Sequence, residues 1–206
     1  MQRSLVVILF LGFMSLFAQI DFGQLKGNCY HNSYLDITVE VPENWWLRVK
    51  EDLTVRTDTG FKDHVWINKN LQGNIPIDSV SNLYLFMLQK FNPNLRIKRF
   101  IPTVFLTLEN ISKAQLRDVG QYLFKAREGL REQTDIDYEF ESGFKPLNIR
   151  QDTCYYMDVK ARQGNEVVRQ RFVSFFKNEF AVSFVLVYQQ EKELEELMKI
   201  LTKAKI

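Results

Sequence analysis

The chain has 206 residues and a formal net charge of +2, from 27 basic and 25 acidic side chains. Near-neutrality supplies no long-range field to draw it to nucleic acid or acidic lipid, and 46% hydrophobic residues over this length suffice for a substantial core. There is no low-complexity segment, no repeat and no Pro/Gly-rich linker, which predicts one domain.

The first element is an address. Arg3 is the only charge before Asp21, and Ser4 to Ile20 forms an apolar run with the small Ala18 near its end. A positive n-region, a hydrophobic core and a small residue are the parts of a secretory signal peptide. At about 17 residues the run lies at the low edge of what spans a bilayer. The expectation is a signal over residues 1–18, cleaved after Ala18, with a retained membrane anchor as the alternative. Lys26-Gly27-Asn28 before Cys29 is not a lipoprotein signal. Residues 19–206 then form the exported domain, periplasmic or secreted from a bacterial cell, and membrane contact follows only if the segment stays uncleaved.

Tyr34 to Val41 alternates, with Leu35, Ile37, Val39 and Val41 on one side, and reads as a strand with one wet face. Pro42-Glu43-Asn44 turns the chain into Trp45-Trp46-Leu47. Lys50 to Asn74 is weakly patterned and reads as loop-rich, with a short strand at His64 to Ile67. Asn82 to Phe91 and Phe100 to Leu108 read as strands around a turn at Asn92-Pro93-Asn94. Leu116, Val119, Leu123, Ala126 and Leu130 form a helical stripe behind Ser112 as N-cap.

Thr153 to Ala161 and Glu166 to Phe176 flank Gly164-Asn165, which suits a tight hairpin. Phe180 to Tyr188 is apolar on both faces and belongs in the middle of a covered sheet. A helix from about Glu191 closes the chain on Leu194, Leu197, Met198 and Leu201. These elements predict the α+β class: an antiparallel sheet with helices packed on it.

Gly27-Asn28-Cys29-Tyr30-His31-Asn32-Ser33-Tyr34-Leu35, followed by Val41-Pro42-Glu43-Asn44-Trp45, resembles the opening of the PsbP-like (Mog1/DcrB-like) fold. The closing strand and acidic helix to Ile206 look like the same family's ending. The resemblance implies a helix–sheet–helix sandwich used for binding or assembly, and its motif carries no catalytic residue. Pro42 and Trp45 would then be fold-defining. Only one of two adjacent indoles easily faces inward, so Trp46 is a candidate contact residue, together with Trp66.

The chemistry-bearing residues are sparse. Cys29 and Cys154 are an even pair in an exported chain, which invites a disulfide. Closing so long a loop stabilises by up to about 5 kcal/mol, and two buried thiols are the other reading. Cys29 and His31 share a strand face, and with His64 or Cys154 could compose a zinc site. Against that, no C-x-x-C or H-E-x-x-H is present. Either cysteine with a histidine would be a candidate thiol nucleophile. Asp135 and Asp137 could serve acid–base work, though a solvated edge explains them as well.

Arg96, Lys98 and Arg99 are a basic cluster of the kind found on solvated faces. The glycines form no phosphate-binding loop, and Asn110-Ile111-Ser112 is a glycosylation sequon only in a eukaryotic host. No cofactor or metal is implied. The reading is a non-enzymatic binding or accessory protein of the cell envelope, with a protein or small-molecule partner. The alternative is an envelope hydrolase or thiol enzyme using Cys29 or Cys154.

Overall fold

A computed structural model describes residues 19–49, 75–76, 82–91 and 100–206. The expected signal segment, the Lys50 to Asn74 stretch with His64 and Trp66, and the Arg96, Lys98, Arg99 cluster lie outside the described residues.

In chain order the elements are β1 (Gln19–Ile20), β2 (Gln24–Lys26), β3 (Cys29–Asn32), β4 (Ile37–Glu40), β5 (Trp46–Val49), β6 (Ile75–Pro76), β7 (Asn82–Gln89), β8 (Thr103–Asn110), α1 (Val119–Arg131), β9 (Asp137–Phe140), β10 (Lys145–Ile149), β11 (Asp152–Gln163), β12 (Glu166–Lys177), β13 (Phe180–Tyr188) and α2 (Glu191–Lys203). The main sheet has eight strands in the order β10-β11-β12-β13-β8-β7-β5, with β9 beside β10 on the outer edge of β11. β1 pairs with β6, and β2-β3-β4 makes a separate small sheet. The strand pairs are antiparallel. This is an α+β fold.

The doubly apolar strand sits at the centre, as its sequence predicts. Phe180, Val182, Phe184 and Leu186 pack into the larger core with Leu194, Leu197, Ile200 and Leu201 of α2 and with Tyr30, Leu35, Ile37 and Val39 of the small sheet. Ala181 instead joins Tyr122 and Leu123 of α1, with Met157, Val159, Phe172 and Phe176 around them. Successive strand residues point to opposite sides, so the two clusters lie on opposite faces of β13. No helix among the described residues is long and apolar enough to cross a membrane.

Among the differences from the sequence reading, three have a clear local cause. α1 begins at Val119, not after Ser112: Asp118 is the cap, its side chain accepting the Gln121 N–H at 2.8 Å. Ser112 sits in a turn in which Asn110 Oδ1 accepts its N–H at 2.9 Å. The strand expected over Tyr34 to Val41 is shortened to β4 because Asp36 has φ +50, a turn conformation. The β2–β3 hairpin, folded at Gly27 with φ +61, carries no apolar alternation in β2 and was missed.

The first described residues are pinned. Ile20 is 0% exposed and belongs to the larger core. The Asp21 carbonyl accepts from Asn32 Nδ2 at 2.8 Å, and its carboxylate takes the Gly23 N–H at 2.8 Å and the Ser33 hydroxyl. The Tyr30 hydroxyl donates to the Phe22 carbonyl at 2.7 Å.

Candidate contact surface

Trp45 and Trp46 divide as adjacent residues entering a strand must. Trp45 packs against the larger core; Trp46 is 45% exposed on the edge strand β5. The register then carries a row of side chains inward from Trp46 on that face. Trp46 stands opposite Gln89, Gln89 opposite Thr103, and Thr103 opposite Val187. The next row is Arg48, Met87, Phe105 and Val185. A third holds Tyr84, Thr107, Ser183 and Ser174.

A bulge between Tyr84 and Phe86 keeps Tyr84 on this face while Phe86 enters the core. Tyr84 meets Phe105 edge to face with centroids 6.0 Å apart, and burial holds its phenol above the ordinary value. α1 packs at the far end of the same face, on β9, β11 and β12. Met87, Phe105, Val185 and Val187 remain half-exposed and belong to neither packed cluster. The surface is a mixed sheet face, with Met87, Phe105, Val185 and Val187 beside Gln89, Thr103 and Thr107, rimmed by an indole and a guanidinium. Within it, Gln89 Nε2 reaches Thr103 Oγ1 at 3.4 Å, and among the described residues Gln89 Oε1 is buried with no hydrogen-bond partner.

The thiol chemistry does not assemble. Cys29 and Cys154 are both free thiols in this structure. Cys29, half-exposed on the small sheet, donates its thiol proton to Asn28 Oδ1 at 3.6 Å; Cys154 is 0% exposed in the larger core. Burial pushes the Cys154 thiol up to about 12, so it holds its proton at neutral pH, the opposite of an activated nucleophile. His31 shares the Cys29 face as expected, but its Nδ1 is bonded to Thr38 Oγ1 at 3.1 Å. Among the described residues no cluster of three or more His, Cys, Asp or Glu side chains could hold a metal.

Asp135 and Asp137 are both exposed, on either side of the buried Ile136. They line an open polar depression of about 530 Å³ together with Arg131, Tyr138 and Arg162. No paired, desolvated carboxylates of the kind that serve acid–base catalysis are formed there.

No family model matches the chain, and no curated protein matches it. Among solved structures it is similar to the crystal structure of LpqN, which is involved in cell envelope biogenesis of Mycobacterium tuberculosis. Identity is 12%, the match covers 82% of each chain, and the TM-score is 0.46. That likeness is too distant to assign a family, and the PsbP-like resemblance rests on its own residues.

Sequence reasoning named Trp46, whose exposure the structure shows, and none of its neighbours on this face. Gln89, Phe105 and Val187 come from strands far apart in the chain and meet only through register. The one signal available was β13 itself, whose second apolar face had to lie against something.

Proposed function

We propose that this chain is an exported, non-enzymatic binding or accessory protein of the bacterial cell envelope. Residues 1–18 are its signal, and residues 19–206 are a single domain built as a helix–sheet–helix sandwich of the PsbP-like (Mog1/DcrB-like) kind. The observation that carries this reading is the sheet face led by Trp46, where apolar and aromatic side chains stand half-exposed beside an exposed indole. Exposed indoles are enriched among the residues that anchor binding. The partner is a protein or a small molecule of the envelope, not a nucleic acid. Trp66 is included in the contact surface on the sequence reading alone.

The test is native mass spectrometry of the protein purified from its own cells, with Trp46→Ala and Trp66→Ala beside it. The expected result is a stoichiometric bound species on the parent chain, weakened about tenfold or more in Trp46→Ala with the melting temperature unchanged. Full retention of the bound species by both variants would remove the surface from the proposal. Selective, rapid modification of Cys29 by iodoacetamide with loss of a hydrolytic activity would favour the thiol enzyme instead.

A further inference from the structure

We propose that Arg127 of α1, with Phe124 and Phe144 beside it, is an anchor point for a carboxylate carried by an acidic segment of a protein partner. This rests on the binding reading above, names the group recognised, and places it on α1 rather than on the Trp46 face.

Two elements build the place. Gly120, Phe124 and Arg127 follow one another along α1 at steps of four and three, and so share a side of the helix. Phe144 comes from the loop between β9 and β10, which turns at Gly143 with φ +74, and packs against the α1 cluster. It reaches the helix at Gly120, where a Cβ would stand 3.9 Å from its ring. The Arg127 guanidinium carbon lies 5.0 Å from the Phe124 ring centroid and 5.5 Å from that of Phe144, both cation–π distances. Phe124 is 48% exposed.

The guanidinium is left incomplete. The Arg127 side chain is 19% exposed, close to the 17% of Arg171. Arg171 meets that burial with two hydrogen bonds to Asp158. Arg127 Nε, by contrast, is buried with no hydrogen-bond partner among the described residues. Glu128 Oε1 lies 3.6 Å from it, beyond hydrogen-bond reach, and already accepts from Arg131 Nη1 at 2.8 Å. The ring faces attract the positive charge without using its N–H donors. A largely desolvated guanidinium with donors to spare is completed best by a carboxylate, whose oxygens accept charge-assisted hydrogen bonds.

The surroundings select the occupant. Phe124, Glu128 and the C-cap Glu132 recur every four residues, on one outward line of α1. Those two carboxylates oppose a polyanion, whether nucleic acid or a layer of anionic headgroups, because its charges cannot avoid them. A protein segment that sets a single Asp or Glu at Arg127 does avoid them, and lays an apolar neighbour on the exposed Phe124 ring. An arginine with aromatic rings beside it is the composition that dominates binding hot spots.

The test uses the chain purified from its own cells and three probes: a short capped peptide of Glu, Leu and Ser, the same peptide with Gln for Glu, and phosphatidylglycerol vesicles. The Glu peptide is expected to move the amide signals of α1 and Phe144 in NMR spectra, and to bind at least about tenfold more tightly than the Gln peptide. Arg127→Met and Phe124→Ala, each matched to the parent by melting temperature, should weaken that binding about tenfold. Equal affinity for the two peptides, or full binding by both variants, would overturn the proposal. Binding of the vesicles and not of the Glu peptide would overturn it too, and assign the surface to a membrane. Native mass spectrometry separates this failure from that of the binding reading. A partner kept by Arg127→Met and lost by Trp46→Ala overturns the carboxylate anchor alone, whereas a parent chain that holds neither a partner nor the Glu peptide overturns both.

Discussion

Arg171 grips Asp158 through two parallel hydrogen bonds, Nε to Oδ1 and Nη2 to Oδ2, each 2.7 Å long. The two residues are register partners on β11 and β12, and their side chains are 17% and 9% exposed. The guanidinium also lies over the Tyr156 ring, 4.2 Å from its centroid. Removing one partner leaves the other charge buried alone. Arg171→Met is therefore expected to destabilise the domain by about 3 kcal/mol. The double variant Asp158→Leu/Arg171→Met should recover much of that loss, since no orphan charge remains. Urea titration of the two singles and the double checks this; a double variant as unstable as the sum of the singles would refute it.

The alkaline limb of stability should fall early. Burial raises the Cys154 thiol from 9.0 to about 12 and the Tyr188 phenol from 10.0 to about 12. For both groups the unfolded chain releases the proton first. The stabilisation is complete below pH 9 and is lost as pH rises toward 12, at a slope of about 1.4 kcal/mol per pH unit for each group. Denaturant midpoints measured between pH 8 and 11 should show the decline, and Cys154→Ala should begin it about one unit later.

On the acid side, the Lys205 ammonium bonded to Asp36 at 2.7 Å holds that carboxyl below its ordinary value. A lowered folded value means the contact is present at neutral pH and lost as pH falls through the carboxylate range. The protection factors of the Thr38 and Lys205 amides, each relative to the intrinsic exchange rate at that pH, should fall there before those of the central strands. Lys205→Met should abolish that pH-dependent loss of protection.

Two glycines with similar backbone angles separate strain from collision. Gly27 has φ +61 with open space where a Cβ would stand, while Gly23 has φ +75 with the Tyr30 ring in that space. Gly27→Ala is expected to cost about 1 kcal/mol, and Gly23→Ala about 2 kcal/mol or more, because a buried aromatic must also move. Thermal unfolding of the two variants side by side is the measurement.

The start of α1 gives a direct comparison of sequence and structure. Asp118→Ala should cost about 1 kcal/mol as the loss of a cap, whereas Ser112→Ala should change stability by less than about 0.5 kcal/mol. The sequence placed the cap six residues early because Leu116 extends the apolar stripe beyond the helix. Leu116 does pack with α1's cluster, but from the turn before it.

Where local pattern decides, the sequence was legible: β13 spans Phe180–Tyr188 and α2 opens at Glu191 as read. Where register decides, it was not. No local pattern announces that Trp46 meets Gln89 or that Asp158 meets Arg171, because each pairing is a property of two strands. The β2–β3 hairpin was hidden for a simpler reason: Gln24, Leu25 and Lys26 are all exposed, and a strand with no buried face leaves no alternation.

The Thr38–Lys205 bridge has a consequence for how the molecule is made. Each residue donates its N–H to the other's carbonyl at 2.9 Å, so β4 is fastened by a residue that lies beyond α2, far along the chain. A ribosome releases Thr38 long before Lys205 exists, and the central pairing of β8 with β13 likewise waits for the final quarter of the chain. Such long-range closure is slow. Neither closure can form before both of its partners have been made, so these contacts belong to the late stage of folding.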